Sequence, residues 1–326
     1  MLALVTGGQG FVGSHLCERL LAGGWRVRVL ARPTSPTGNL DGLGVEIVRG
    51  DLLDPASLPS AVKDCDLVFH LAGALKGFRE ADFFRVNADG TRALAEVCVT
   101  HAPRLRRFVF VSSLAAAGPS PGGPAPLAED NPPRPVSWYG RSKLAGEEAL
   151  RSVSGLSWTI VRPPIVFGPR ERDLFQYFRA ARRGFLPVFG FRDRHFSIVF
   201  GPDLAEGLFH SAQTEKTRGQ VYYLSAPEIV TWVGLGRLIG QAVGIRGRIV
   251  RLPETVGILA GMAADVFARM GGTPRIFSSQ KVIEMRQAAW VCNSAKAARD
   301  FGWRASTPVA EALNKTAHWY REHGWL

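Results

Sequence analysis

Apolar residues in the first half of the chain fall into short unbroken runs separated by segments of helical spacing. Leu2–Thr6 is continuous and apolar, as expected of a parallel strand buried on both faces. Runs at Arg26–Leu30, Val45–Val48, Leu67–Leu71, Phe108–Ser112 and Trp158–Arg162 predict five more strands. Ser14–Ala22 sets Leu16, Leu20 and Leu21 on one side and ends at Gly23-Gly24, which predicts a helix. Further helices are predicted near Pro55–Val62, Asp89–His101 and Tyr139–Val153. Strand and helix alternating in this way give an α/β fold, a doubly wound parallel sheet with right-handed crossovers.

After Arg162 the alternation loosens. Pro163–Phe200 is rich in Pro, Gly, Arg and Phe. A strand-like Val221–Leu224 follows, then a helix near Trp232–Gly244, an apolar helix near Thr255–Met270 and a helical tail over Glu311–Tyr320. The pattern predicts a sheet domain over 1–162 and a smaller lobe over 163–326, with some core elements returning after 162. Gly118–Pro135, crowded with Pro and Gly, reads as a surface loop, and its place just after Ser113 would make it a wall of a site at that strand end.

The 326 residues are 46% hydrophobic, ample for a core, and carry a formal net charge of +12. Most of the basic residues are Arg, with short clusters at Arg104–Arg107, Arg179–Arg183 and Arg246–Arg251. Nucleic-acid binders concentrate such charge on an identifiable docking element. None is present, so no nucleic-acid partner is expected and the excess reads as compositional bias. Cys17, Cys65, Cys98 and Cys292 form no paired motif, so reduced buried thiols are expected, with no metal site. The first strand begins at Leu2, leaving no room for a signal peptide, and no apolar run reaches the ~18 residues of a membrane span, so a cytoplasmic protein is expected. The stretch near 255–270 is apolar over Val256–Ala264 and flanked by Arg251, Arg269 and Arg275. That pattern is compatible with peripheral membrane contact and entry of a lipid. Packing in the core or in a dimer is the expectation, and Asp265 interrupts the run.

Gly7, Gly10 and Gly13 fall between the first strand and the first helix. The first permits a tight turn, the second lets backbone approach a diphosphate, and the third lets helix and sheet pack closely. The helix N-terminus then offers N–H groups and positive potential to a pyrophosphate. Where an acidic residue would hold a ribose 2′-hydroxyl after the second strand, Ala31 stands, followed by Arg32. A guanidinium there can grip a 2′-phosphate through two hydrogen bonds, which favours NADP over NAD. Asp51, after the third strand, is set to reach an adenine.

Tyr139 and Lys143 stand one helical turn apart on a common face. A free phenol, with a pKa of ~10, is a poor base at neutral pH, and a neighbouring ammonium lowers that value. Tyr139 could then exchange a proton with a reacting oxygen while Ser113, at the end of the Phe108–Ser112 strand, hydrogen-bonds the same oxygen. Ser113, Tyr139 and Lys143 are therefore the candidate catalytic residues.

With these motifs in this order, the chain resembles the extended short-chain dehydrogenases/reductases over nearly its whole length. Thr6–Gly13 is similar to the family's glycine turn, His70-Leu71-Ala72-Gly73 to its segment along the cofactor, and Asn87 with Gly90-Thr91 to its N-x-x-G-T. Ser112-Ser113, Tyr139 with Lys143, Arg162-Pro163, Phe167-Gly168-Pro169, Asp203-Leu204-Ala205 and Phe301-Gly302-Trp303 follow in the family's order. The resemblance implies a Rossmann-type sheet with a smaller C-terminal substrate-binding lobe. It implies a cofactor lined by Gly7, Gly10, Phe11, Val12, Gly13, Arg32, Asp51, Leu52, Leu71, Ala72, Gly73, Asn87, Lys143, Pro163, Ile165 and Val166. It also implies a homodimer built from the helices Asp89–His101 and Tyr139–Val153.

Two departures narrow the chemistry. Leu114-Ala115 stand where the family's sugar dehydratases carry an acid pair, and Ile165 stands where its nucleotide-sugar epimerases carry an Asn. The remaining resemblance is to 3β-hydroxysteroid and sterol dehydrogenases and dihydroflavonol-type reductases. These act on a secondary alcohol or ketone in a lipophilic substrate. Phe167, Phe175, Phe178, Phe185, Phe189, Phe191 and Phe196 would suit the walls of such a site, or equally a core. The competing readings are an epimerase with retained NAD and a non-catalytic NAD(P)-binding regulator.

Overall fold

The computed structural model describes residues 1–121, 123–274 and 276–326; Arg275 and the Phe189 side chain, both named above, lie outside the described residues. Seven strands form one sheet in the order Gln220–Tyr223, Trp158–Arg162, Arg107–Val111, Leu67–His70, Leu2–Thr6, Arg26–Ala31, Val45–Arg49. Every neighbouring pair is parallel. The chain leaves Leu2–Thr6 in one direction for the next two strands and then returns to its other side. That reversal opens a crevice beyond the carboxyl ends of Leu2–Thr6 and Leu67–His70, where ligands bind in sheets of this Rossmann kind.

Both faces of the sheet are covered. On one, Leu16 and Leu20 of the helix Phe11–Ala22 pack with Leu204 and Leu208 of the helix Gly201–Gln213 and with Trp303. On the other lie Leu58, Leu94, Cys98 and Leu150. All four cysteines are buried free thiols, and burial pushes the Cys65 thiol up to about 11.

Several predicted boundaries shift. The first helix begins at Phe11 rather than Ser14, since Gly10 already caps it. The fourth strand ends at His70, one residue early. Pro55–Val62 splits into a tight turn at Pro55–Ser57 and a helix over Leu58–Val62. The helix expected from Asp89 is the last part of a longer rod. Helical turns at Glu80–Phe84 lead through a wide π-type turn at Arg85–Asp89 into Gly90–His101.

The loosely patterned Pro163–Phe200 is in fact ordered. Strands Ile165–Phe167, Phe185–Phe189 and His195–Phe200 and the helix Phe175–Arg182 occupy it. The phenylalanines there are mostly core. Phe167, Phe178 and Phe196 are buried and Phe175 half-buried, packed with Tyr320, Leu313 and Trp232, while Phe185 and Phe191 face solvent. Most of the expected aromatic wall is therefore a packing cluster: Phe175 and Phe178 meet Tyr320, Phe196 meets Trp232, and Phe167 meets Phe200. The apolar helix Glu254–Met270 departs in the opposite sense. Instead of packing in the core it buries only Gly257, Gly261 and Ala268.

Candidate active site

The glycine turn is a cradle that side chains would fill. Gly7 sits in the left-handed region, at φ +72°, and a β-carbon on it would lie 2.8 Å from the Ala72 nitrogen. A β-carbon on Gly13 would overlap the Gly7 carbonyl oxygen. Gly10 is exposed at the start of the helix and donates its N–H to the Gly7 carbonyl at 3.0 Å. The first-turn N–H groups beyond it, on Phe11 and Val12, have no helical acceptor. Such a turn fits a dinucleotide diphosphate.

Beside it, polar groups tie the strand ends together. Ala72 donates its N–H to Thr6 Oγ1 at 3.1 Å, and Thr6 Oγ1 lies 2.7 Å from His70 Nδ1. His70 Nε2 in turn meets Thr91 Oγ1 at 3.0 Å. Burial, with Lys143 nearby, pushes the His70 imidazole down to about 3, so it stays neutral and acts as a brace. The π-type turn carries Asn87 to the same edge. Its amide donates to the Ala74 carbonyl at 3.1 Å and to Ser142 Oγ at 2.8 Å, while its Oδ1 accepts from the Ala74 N–H at 2.7 Å. A β-carbon on the exposed Gly73 would lie 2.9 Å from Asn87 Oδ1 and 3.8 Å from Lys143 Nζ. Gly7, Ala72, Gly73, Asn87 and Lys143 are thereby brought to one place.

The remaining predicted cofactor residues lie further out. Arg32 is exposed just beyond the strand Arg26–Ala31, its carbonyl accepting from Arg49 Nη1 at 3.0 Å. Asp51 is half-buried and spends Oδ1 on the Leu53 N–H at 3.0 Å. Leu52 is buried under Gly90 and Leu71 half-buried. Pro163 accepts the Leu114 N–H at 2.8 Å, with Val166 half-buried and Ile165 37% exposed beyond it.

The catalytic candidates come from two elements pressed together. Ser113 caps the short helix Leu114–Ala117, accepting the Ala115 N–H at 3.1 Å, and this turn packs on the helix start that carries Tyr139, where a β-carbon on Gly140 would overlap the Ala115 carbonyl oxygen. Ser137 caps the helix Trp138–Arg151 through the Gly140 N–H at 3.0 Å. Any β-carbon at Gly146 would overlap the Asn87 carbonyl, so this helix can lie against the cofactor edge only as glycine there.

The electrostatics reverse one expectation. Burial pushes the Tyr139 phenol up to about 12, the nearby Ser113 hydroxyl opposing and the Glu284 charge adding to the rise. Lys143 was expected to lower it. Burial instead brings the Lys143 ammonium down to about 7, against the pull of Glu147, with Nζ 4.1 Å from the centre of the Phe110 ring. A lysine that has lost its preference for the charged form near neutrality offers the phenol no fixed positive charge.

The shift has a consequence for stability. The unfolded Lys143 titrates near 10.5 and the folded one near 7, so folding opposes its protonation. The resulting destabilisation is complete below pH 7 and vanishes above pH 10.5. Lys143→Met is expected to raise the melting temperature most at and below neutrality, with the gain shrinking as pH rises; thermal melts across that range check it.

Residues that the motifs did not reveal hold this arrangement. Glu147 is fully buried, one further turn along the face of Tyr139 and Lys143. It accepts from Ser112 Oγ at 2.6 Å, from Arg162 Nε and Nη2 at 2.7 Å each, and from Arg151 Nη2 at 3.0 Å. Its spacing from Lys143 was the signal that could have found it. Ser137 Oγ donates to Glu284 Oε1 at 2.6 Å and the Trp138 N–H to Gln280 Oε1 at 3.1 Å. The helix Ser279–Met285 is thus tied to the residues just before Tyr139, which no local pattern signals.

A family model described as the NAD dependent epimerase/dehydratase family matches residues 3–224. A protein of Caulobacter vibrioides named ceramide reductase is 34% identical over 99% of this chain and 95% of its own length. Sterol demethylase protein B of Methylococcus capsulatus is 34% identical over 57% of this chain and 60% of its own. Among solved structures, UDP-glucose 4-epimerase of Thermus thermophilus in complex with NAD superposes with a TM-score of 0.78 at 26% identity, covering 98% of this chain and 99% of that one.

Proposed function

The chain belongs to the NAD dependent epimerase/dehydratase family and is an NAD(P)-dependent oxidoreductase, and on that premise we propose that it interconverts a ketone and a secondary alcohol on a lipophilic substrate, with Tyr139 as the acid/base. The observation that carries this reading is the packing of the Ser113 turn on the start of the Tyr139 helix, with the buried Lys143 one turn further on beside Gly73 at the edge of the glycine cradle. A bound nicotinamide supplies or accepts the hydride. Ser113 holds the substrate oxygen, and Tyr139 Oη gives that oxygen a proton on reduction or takes it on oxidation. At neutral pH the Tyr139 phenol is protonated, so in the direction of ketone reduction it serves as the acid. Lys143 orients the cofactor ribose, and Asn87 and Glu147 fix its helix.

The substrate reading follows two lines. Ile165 can donate no hydrogen bond to a sugar or phosphate oxygen, which argues against a nucleotide sugar. Phe167, Phe178 and Phe196 lie in the core, which weakens the case for a flat aromatic-walled slot made for a steroid. The Caulobacter relative's name then favours a ketone on a long-chain amide lipid. The test is nicotinamide absorbance with a 3-oxo long-chain amide in detergent. Net consumption of reduced cofactor supports the reading. Cofactor that copurifies and is never consumed would instead point to an epimerase.

Arg32 is read as the grip on the 2′-phosphate of NADP. Arg32→Ala is expected to weaken NADP⁺ binding by roughly ten- to a hundredfold and to leave NAD⁺ binding within about twofold. Calorimetric titration of both cofactors checks this. Tighter binding of NAD⁺ by the unaltered protein would end the Arg32 reading and leave the reaction class standing.

A further inference from the structure

The helix Glu254–Met270 has its amphipathy inverted. Its buried side consists of Gly257, Gly261 and Ala268. Its outer side carries Val256, Leu259, Met262, Val266, Phe267 and Met270, each 42–79% exposed. At helical spacing these six fall on one stripe opposite the glycines. A water-facing helix ordinarily has large apolar residues inside and small or polar ones outside, and a contiguous apolar stripe of this size marks a contact surface.

The surroundings say which contact. The strand Arg248–Leu252 feeds directly into the helix and pairs with Phe185–Phe189. The outer face of this pair presents Phe185, Val250 and Arg248, all exposed. Segments 182–194 and 246–286 together hold eleven basic residues against four acidic ones, so +7 of the chain's +12 sits in them. Arg251 already pairs with Asp193, and Arg286 with Glu254. Arg182, Arg183, Arg192, Arg246 and Arg269 are exposed. A face this positive repels a second copy of itself and attracts an anionic surface. Apolar stripe and basic surround together match a helix lying in the headgroup region of an anionic bilayer. No described helix is long and apolar enough to cross one.

The helix is also mechanically joined to the active site. A β-carbon on Gly261 would lie 2.7 Å from the Val282 side chain, and Asp265 Oδ2 accepts the Ser279 N–H at 3.2 Å. These contacts hold it to Ser279–Met285, whose Gln280 and Glu284 bond the residues just before Tyr139. We propose that Glu254–Met270 is a membrane-docking helix. It seats the protein on an anionic lipid surface, so that a lipid substrate passes from the bilayer past Ser279–Met285 to Tyr139. The docking itself does not depend on the substrate reading, because its test reads binding rather than turnover.

The test is cosedimentation of the full chain with vesicles of phosphatidylcholine alone and with about a third phosphatidylglycerol. Binding is expected only to the anionic vesicles and is expected to fall as salt rises from about 0.1 M toward 1 M. Leu259→Ser with Phe267→Ser is expected to weaken that binding by at least about tenfold. Both side chains are exposed, so the melting temperature should not fall. As an independent readout, a polarity-sensitive dye on Met262→Cys should shift to the blue on anionic vesicles, the native cysteines being buried. Equal binding to neutral vesicles, unchanged binding of the double variant, or no dye shift would overturn the proposal. So would a dimer of the unaltered chain that the double variant dissolves, since that makes a second copy the occupant.

Discussion

Tyr139→Phe is expected to reduce turnover by at least about a hundredfold while leaving cofactor affinity within about twofold, since positioned proton transfer contributes ~10²–10⁴. The ring remains, so the packing of its helix is kept. What goes is the one hydroxyl to which the proposed mechanism assigns proton exchange with the substrate oxygen. Steady-state kinetics and calorimetry on the same preparation separate the two effects. A variant that turns over normally would remove Tyr139 from the chemistry and, with it, the proposed mechanism. The phenol's high value, about 12, also implies that the oxidative direction gains rate as pH rises, while reduction stays flat through neutrality. The sign follows from which form each direction uses: the phenolate accepts a proton, and the phenol donates one.

Glu147→Ala is expected to destabilise the protein by about 3–5 kcal/mol, the cost of leaving a buried partner charge unpaired. Arg162 is 3% exposed, and Glu147 accepts two of its guanidinium hydrogen bonds. Removing the carboxylate strands that cation in the core and frees Ser112, the residue before Ser113. Chemical denaturation measures the loss. Glu147→Leu combined with Arg162→Met should recover most of it, because replacing both charges leaves nothing unpaired. A Glu147→Ala protein as stable as the parent would mean that water reaches Arg162 readily.

The sheet and the cradle were legible because each is a local signal. An unbroken run such as Leu2–Thr6 identifies a strand buried on both faces, and Gly7, Gly10 and Gly13 identify a turn whose spacing has one structural use. What stayed hidden depends on partners distant in sequence. Phe178 and Phe196 look the same in sequence whether they wall a pocket or fill a core, and Tyr320 and Trp232 decide it. The contact of Ser137 with Glu284 spans 147 residues, and the tilt of the phenol's acidity comes from burial, which no motif encodes. The exposed stripe on Glu254–Met270 was readable as apolar but not as outward-facing, because that depends on Gly261 seating against Val282.

The helix Gly201–Gln213 bears on how the protein is made. It covers the same sheet face as Phe11–Ala22, with Leu204, Leu208 and Phe209 against Leu20, Val109 and Val161. The last strand of the sheet, Gln220–Tyr223, follows it. A ribosome delivers the chain from its N-terminus. Six strands are therefore complete at Arg162 while one sheet face still lacks the cover of Gly201–Gln213. During that interval the nascent chain displays an apolar surface and an unpaired parallel edge, both prone to association. A polypeptide ending at Arg162 would keep that state permanently. The first six strands thus depend on residues that emerge after them for the cover of that face.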